Sequence, residues 1–174
     1  MGVSVIISFI DGSKVKKVKY KKRGLLTYSH FHEMFADPVN PMSEEKRTYN
    51  LLRVYEGLDA LDSMMHPEAH YWQSVADAVN MLITLTVEMG LAEDPDGLIT
   101  TANKTLHDAW TRAQTIGCNT LTAGEITALR AVVAEYASLS EVIPERAMIR
   151  CHRMTEKRMQ EILNGKRREG DVVI

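Results

Sequence analysis

Seven cations crowd into residues 14–23: Lys14, Lys16, Lys17, Lys19, Lys21, Lys22 and Arg23. Side chains at this density can follow a phosphate backbone, because each lysine or arginine that neutralises a phosphate releases condensed counterions. Tyr20 and Tyr28 lie nearby in sequence and supply rings on which bases can stack. The plainer alternative is a solvated edge strand whose lysines discourage unwanted pairing. No helix-turn-helix, RRM or zinc-finger pattern accompanies the cluster.

A second set of cations, Arg146, Arg150, Arg153 and Lys157, falls three to four residues apart and forms one narrow stripe on a helix. Like charges on one line repel unless carboxylates or phosphates lie across from them. The stripe therefore expects either acidic partners within the chain or a nucleic acid. If it shared a face with the basic N-terminal cluster, the nucleic-acid reading would gain weight.

The histidines have ligand-like spacing in two places, His30-x-His32-Glu33 and His66-Pro67-Glu68-Ala69-His70. The second superficially resembles the HExxH zinc motif, but its glutamate is misplaced and proline takes the second position. Capping or surface roles account for these residues, and no metal ligand set is assigned. Cys151 and His152 are adjacent, so on a helix they point about 100° apart and cannot serve one another as nucleophile and base. Cys118 and Cys151 form no CxxC, and neither a disulfide framework nor a cysteine zinc site is signalled. Acidic side chains at Glu56, Asp59, Asp62, Glu68 and Asp77, with Asp94 and Asp96, offer a negative surface for a basic partner or simply solvated helix faces.

The elements that must position these groups are mostly helices. His66–Leu91 reads as the central one: Trp72, Val75, Ala76, Val79, Leu82, Ile83 and Val87 define one apolar face, with Met81, Leu85 and Met89 beside it. A helix apolar on more than one side is enclosed by others, and this run is too interrupted to span a bilayer. Pro67 suits its start and Gly90 its left-handed stop. Before it, Ser29 is placed to cap HFHEMFA, with Phe31, Met34 and Phe35 directed at the core. Ser43 caps a helix whose inward residues are Leu51, Val54, Tyr55, Leu58, Leu61 and Met65. After it, Leu98 to Ile116 mark a helix stopped by Gly117. Thr122 and Glu125 form a capping box for the next, and a last helix runs from Pro144 to about Asn164-Gly165, with Met148, Cys151, Met159 and Ile162 opposite the cationic stripe.

Ahead of these helices, residues 3–10 are β-branched and aromatic. Asp11-Gly12 is a hairpin turn signal, and residues 14–23 read as the returning strand. A lone hairpin is marginal in water, so it must lie on the helices, on a second copy or on a partner. Residues 171–174 are apolar enough for a short strand beside it. The expected fold is therefore mainly α, about five long helices in one bundle-like domain with a small N-terminal β-hairpin. Residues 1–26 are assigned to the hairpin, 27–165 to the helical domain and 166–174 to a C-terminal tail.

The 174 residues suffice for one hydrophobic core, and 45% hydrophobic with 25% charged residues are the proportions expected of an ordinary soluble globular protein. A formal net charge of −2 conceals strong segregation. Residues 1–32 hold seven basic against one acidic, residues 33–108 four against fourteen, and residues 109–174 ten against eight. The N-terminus lacks the features of a signal peptide, Ile6 stands where a myristoylation signal needs Ser or Thr, and the cysteine usage fits a reducing cytoplasm. No Gly-rich phosphate loop and no GxSxG is present.

Charge segregation without a catalytic pattern points to a small non-enzymatic binding protein with no cofactor. The leading expectation is a nucleic-acid-associated regulatory or accessory protein that uses the basic hairpin. The alternative is a protein-binding inhibitor or adaptor, of phage or mobile-element type, that acts through its acidic helices or an exposed strand edge. A histidine-based metal enzyme is the third reading. No membrane partner is expected, and homodimerisation through the hairpin is compatible with each.

Overall fold

A computed structural model describes residues 5–6, 28–118, 121–166 and 172–173. The architecture is mainly helical, as the periodicity predicts. In chain order there are α1 (His30–Phe35), α2 (Glu44–Ser63), α3 (Ala69–Ile83), a π-helical segment (Thr84–Glu88), a 3-10 turn (Pro95–Gly97), α4 (Leu98–Ile116), α5 (Ala123–Val142) and α6 (Glu145–Leu163). A two-residue strand, β1 (Val5–Ile6), pairs in parallel with β2 (Val172–Val173). The expected hairpin, with its lysine strand at residues 14–23, lies outside the described residues.

The central position expected for α3 is occupied: α2, α4, α5 and α6 all pack against it. Eleven of its fifteen residues are buried, including Trp72, Val75, Val79 and Leu82. Its closest neighbour is α2, and the approach is set by Gly57, where an added Cβ would stand 2.7 Å from the Tyr71 carbonyl oxygen. Such enclosure removes polar positions of α3 from water as well. Helix α3 starts at Ala69, with Glu68 as N-cap, two residues after Pro67.

At its C-terminal end α3 widens into the π segment, where the Met89 amide reaches back five residues to the Thr84 carbonyl at 3.0 Å. Threonine hydroxyls compete locally for the backbone: Thr84 Oγ1 donates to Asn80 O, and Thr86 Oγ1 to Leu82 O and Ile83 O. The extra residue per turn rotates the side chains at the end of the segment away from the α-helical register. Val87, expected on the buried face, is consequently exposed. Gly90, at φ 61°, then ends the helical path.

Local signals fix most other boundaries. Thr122 Oγ1 accepts from the Glu125 amide at 3.3 Å, and the Glu125 carboxylate accepts from the Thr122 amide at 2.8 Å, which completes the capping box. Gly117 closes α4 in the left-handed conformation. Pro144 separates α5 from α6. Ser43 is the N-cap of α2, but its side chain makes no capping hydrogen bond.

Two expectations about apolar faces need correction. On α2, Tyr55 and the following Met65 are exposed, because the helix spends its inward face on Val54, Leu58 and Leu61. On α1, the expected inward residues Phe31, Met34 and Phe35 are 70%, 54% and 84% exposed. Helix α1 packs on α6, and that side of α6 carries its arginines. The polar face of α1 is therefore the one that turns in.

Candidate functional site

The cationic stripe on α6 and the short helix α1 form one assembly. Arg146 donates from Nε to Ala36 O at 3.2 Å and from Nη2 to Ala36 O at 3.0 Å and Met34 O at 3.3 Å. These are the last carbonyls of α1 and its C-cap, which have no partner within the helix. Arg153 pairs with Glu33, and His30 Nδ1 lies 4.0 Å from the same carboxylate. At the other end, Ser29 and His32 form a capping box, with the Ser29 amide donating to His32 Nδ1 at 2.9 Å.

The loop beyond α1 closes onto the start of α6. The amides of Glu145 and Arg146, unpaired within their own helix, donate to Asn40 O at 2.8 Å and Asp37 O at 2.9 Å. Glu145 also accepts from Lys46 Nζ at 2.6 Å and from the Asp37 amide at 3.3 Å, and these bonds hold its carboxyl below the usual range. Asp37 accepts from the Asn40 side chain and from the Asn40 and Val39 amides, which lowers its carboxyl to about 2.

So α1 is tied down by charge-assisted and backbone hydrogen bonds, and its apolar side faces outward. Phe31, Met34 and Phe35, with Val39 at 74% exposure, form a platform. Beside it runs a cleft of about 410 Å³. Glu33 and Pro38 form one wall, Glu88, Met89 and Leu91 another, and Pro144, Arg146, Ala147, Arg150 and Met154 the third. Of the residues around α1, Glu33 and Pro38 line the cleft, whereas Phe31, Met34, Phe35 and Val39 do not.

The four cations of the stripe thus have three different fates. Arg146 and Arg153 hold α1. Lys157 is largely exposed, with Glu161 Oε1 at 4.0 Å. Arg150 is exposed at the cleft and has no partner among the described residues. Whether the stripe shares a face with Lys14, Lys16, Lys17, Lys19, Lys21, Lys22 and Arg23 lies outside the described residues.

The acidic residues do not act as one surface. Glu56 and Asp59 are exposed on α2, near the exposed Tyr49, Leu52 and Tyr55. Asp62 pairs with Arg130 at 2.5 Å, and Glu68 with His70 Nδ1 at 3.2 Å. Asp77 is 9% exposed. It must be removed from the expected docking surface: it sits on the enclosed α3, and burial pushes its carboxyl up to about 7.

The interior holds a polar set that the sequence does not announce. Tyr28, expected as a stacking ring, turns inward instead. It lies 5.2 Å from the His152 ring, donates to Met42 Sδ at 3.8 Å and hydrogen-bonds the Asn50 side chain. Among the described residues His152 Nε2 is buried without a hydrogen-bond partner, and burial depresses the ring to about 4. Cys151 donates to Met81 O at 3.4 Å, and burial raises its thiol to about 12. Thr84 and Thr155 share a buried hydroxyl hydrogen bond of 2.7 Å. A thiol held protonated and a neutral imidazole pointed at a tyrosine ring make a packed core. These residues lie from 28 to 155 in the chain, and no local pattern links them.

A second concavity of about 180 Å³ lies over Trp72 and Trp110, whose rings meet edge to face at 5.5 Å, with His66 and Cys118 on its rim. Among the described residues, no three His, Cys, Asp or Glu side chains converge as a metal site would require. No described helix is long and apolar enough to cross a membrane. Compared with protein-family models, curated proteins and solved structures, the chain gives no match. The class that fold and site define is accordingly a helical-bundle domain with an outward apolar face on α1 and a cleft that carries two arginines and two glutamates.

Proposed function

We propose that this protein is a protein-binding adaptor or inhibitor whose α1 platform docks on a partner. The observation that carries the proposal is the inverted amphipathicity of α1. Burying a phenylalanine contributes about 1.5–3 kcal/mol, yet Phe31 and Phe35 stay largely in water while Glu33 takes the inward position against Arg153. Contiguous exposed apolar side chains with a polar rim are characteristic of interaction surfaces. The tight anchoring of α1 pre-organises the platform and so reduces the entropy lost on binding.

The test compares the proteins retained by the intact chain with those retained by a Phe31→Ser/Phe35→Ser variant, with circular dichroism to verify equal helix content. These side chains support no core, so the variant should fold normally and lose one specific partner. Retention of the same proteins by both chains would refute the proposal.

A second reading rests on the seven cations of residues 14–23. It makes the protein a nucleic-acid-associated regulator, with Arg150 and Lys157 as auxiliary contacts. It predicts binding of generic DNA or RNA that weakens on the order of a thousandfold between about 50 and 200 mM salt, and that collapses in the Lys16→Glu/Lys19→Glu/Lys21→Glu variant. No binding at low salt would discard it.

A further inference from the structure

We infer that the outward face of α2 is a second docking surface, which takes a basic amphipathic helix of a protein partner. The apolar side chains of that helix lie on Leu52 and Tyr55, and its lysines or arginines on Glu56 and Asp59. The assignment does not rest on the α1 platform; it gives the protein a second contact on a different helix.

The face follows from where α2 places its apolar residues. Val54, Gly57, Leu58 and Leu61 are buried, on the side packed against α3 and α5. Tyr49, Leu52, Tyr55, Glu56 and Asp59 follow one another along the other side at spacings of three and four. Tyr49, Leu52 and Tyr55 are each about half exposed. With Glu45 at one end, the strip runs for four turns, about 21 Å, so a second helix can lie along it.

Charge sets the chemistry of the occupant. The carboxylates of Glu44, Glu45, Glu56 and Asp59 are exposed and have no partner among the described residues. Glu44 and Glu45 complement the dipole of their own helix. Glu56 and Asp59 stand three positions apart in mid-helix, where like charges repel. The cations of α2 and of the adjoining α5 are accounted for. Lys46 binds Glu145 at 2.6 Å, Arg47 lies 4.0 Å from Glu141, and Arg130 of α5 binds Asp62 at 2.5 Å. Helix α3 has neither lysine nor arginine. Arg53 keeps its charge at the edge of the strip, with its guanidinium 5.6 Å from the centre of the Tyr49 ring.

Four unpaired carboxylates thus stand against a single uncommitted guanidinium. The surplus is negative, so the face repels nucleic acid and a second copy of α2 alike and attracts lysines and arginines. Leu52 and Tyr55 call for apolar side chains beside those cations, which a polyamine lacks.

The probe is a labelled synthetic helical peptide with Leu on one face and Lys flanking it, titrated onto the full chain and followed by fluorescence anisotropy. The comparators carry Glu in place of Lys, or Ser in place of Leu. The Lys/Leu peptide should bind at least tenfold more tightly than either. Glu56→Lys/Asp59→Lys and Leu52→Ser/Tyr55→Ser should each weaken it at least tenfold. All four side chains are exposed, so circular dichroism should show unchanged helix content. The charge-reversed variant should also improve binding of the Glu peptide. Phe31→Ser/Phe35→Ser should bind the Lys/Leu peptide as the intact chain does.

Equal binding of either comparator, or no effect of the α2 variants, would overturn the inference. So would tighter binding of the Lys/Leu peptide by the Lys16→Glu/Lys19→Glu/Lys21→Glu chain, since the face would then belong to the protein's own cations. If peptide binding is lost only in Phe31→Ser/Phe35→Ser, this inference fails and the platform reading survives. If the α2 variants behave as predicted while Phe31→Ser/Phe35→Ser retains every partner of the intact chain, the platform reading fails and this inference stands.

Discussion

Two buried groups, Asp77 and His152, give this protein a pH signature that can be worked out from sign alone. Asp77 is lifted from an ordinary value of 3.8 to about 7 by burial, so between those limits the folded chain keeps a proton that the unfolded chain releases. Its contribution to stability is complete below about pH 4 and is lost as pH rises through 7; the full effect is on the order of 4 kcal/mol. His152 is depressed from 6.5 to about 4, so the unfolded chain binds the extra proton. Its contribution is present above pH 6.5 and lost as pH falls towards 4, on the order of 3 kcal/mol. The two slopes oppose one another from pH 4 to 6.5, where the intact protein should show nearly constant stability, with a decline above. Urea unfolding at pH 4.5 and 7.5 separates them. Asp77→Asn should become more stable as pH rises over that interval, and His152→Phe less stable. Parallel pH profiles for the two variants would show that these groups do not control the titration.

At the scale of elements, the helices were legible where the signal is local and obscure where a distant partner decides. The Thr122–Glu125 capping box, Gly117 and Pro144 each act within one turn of chain, and each marks a real boundary. The apolar spacing of Phe31, Met34 and Phe35 reads as an inward face, but the choice of face is made by Arg146 and Arg153, more than a hundred residues away in sequence. Val87 was misplaced for a different reason. A helical period of 100° cannot anticipate a π turn, which here coincides with threonine hydroxyls bonding the preceding carbonyls. The buried set around Tyr28 and His152 had no sequence signal, since it is assembled by packing alone. The same packing makes Gly57 a sensitive position. A methyl group there meets the Tyr71 carbonyl at 2.7 Å, so Gly57→Ala must push α2 from α3 and should cost about 1–3 kcal/mol, read as a lower thermal midpoint. An unchanged midpoint would mean that the two helices slide apart without loss of contact.

For the whole molecule, charge segregation was visible in the sequence, but its use was not. The cations of α6 are divided between anchoring α1 and facing the cleft, while the exposed carboxylates of α2 lie with Tyr49, Leu52 and Tyr55. What unites the described surface is a helical bundle whose arginines hold one short helix with its aromatic side outward. A photo-crosslinking amino acid placed at Phe35, in cells that make the protein, tests this claim most directly, with the exposed Thr127 on α5 as the control position. The platform proposal predicts one discrete covalent adduct from position 35 and none from position 127. Absence of any adduct, or the same diffuse adducts from both positions, would contradict it.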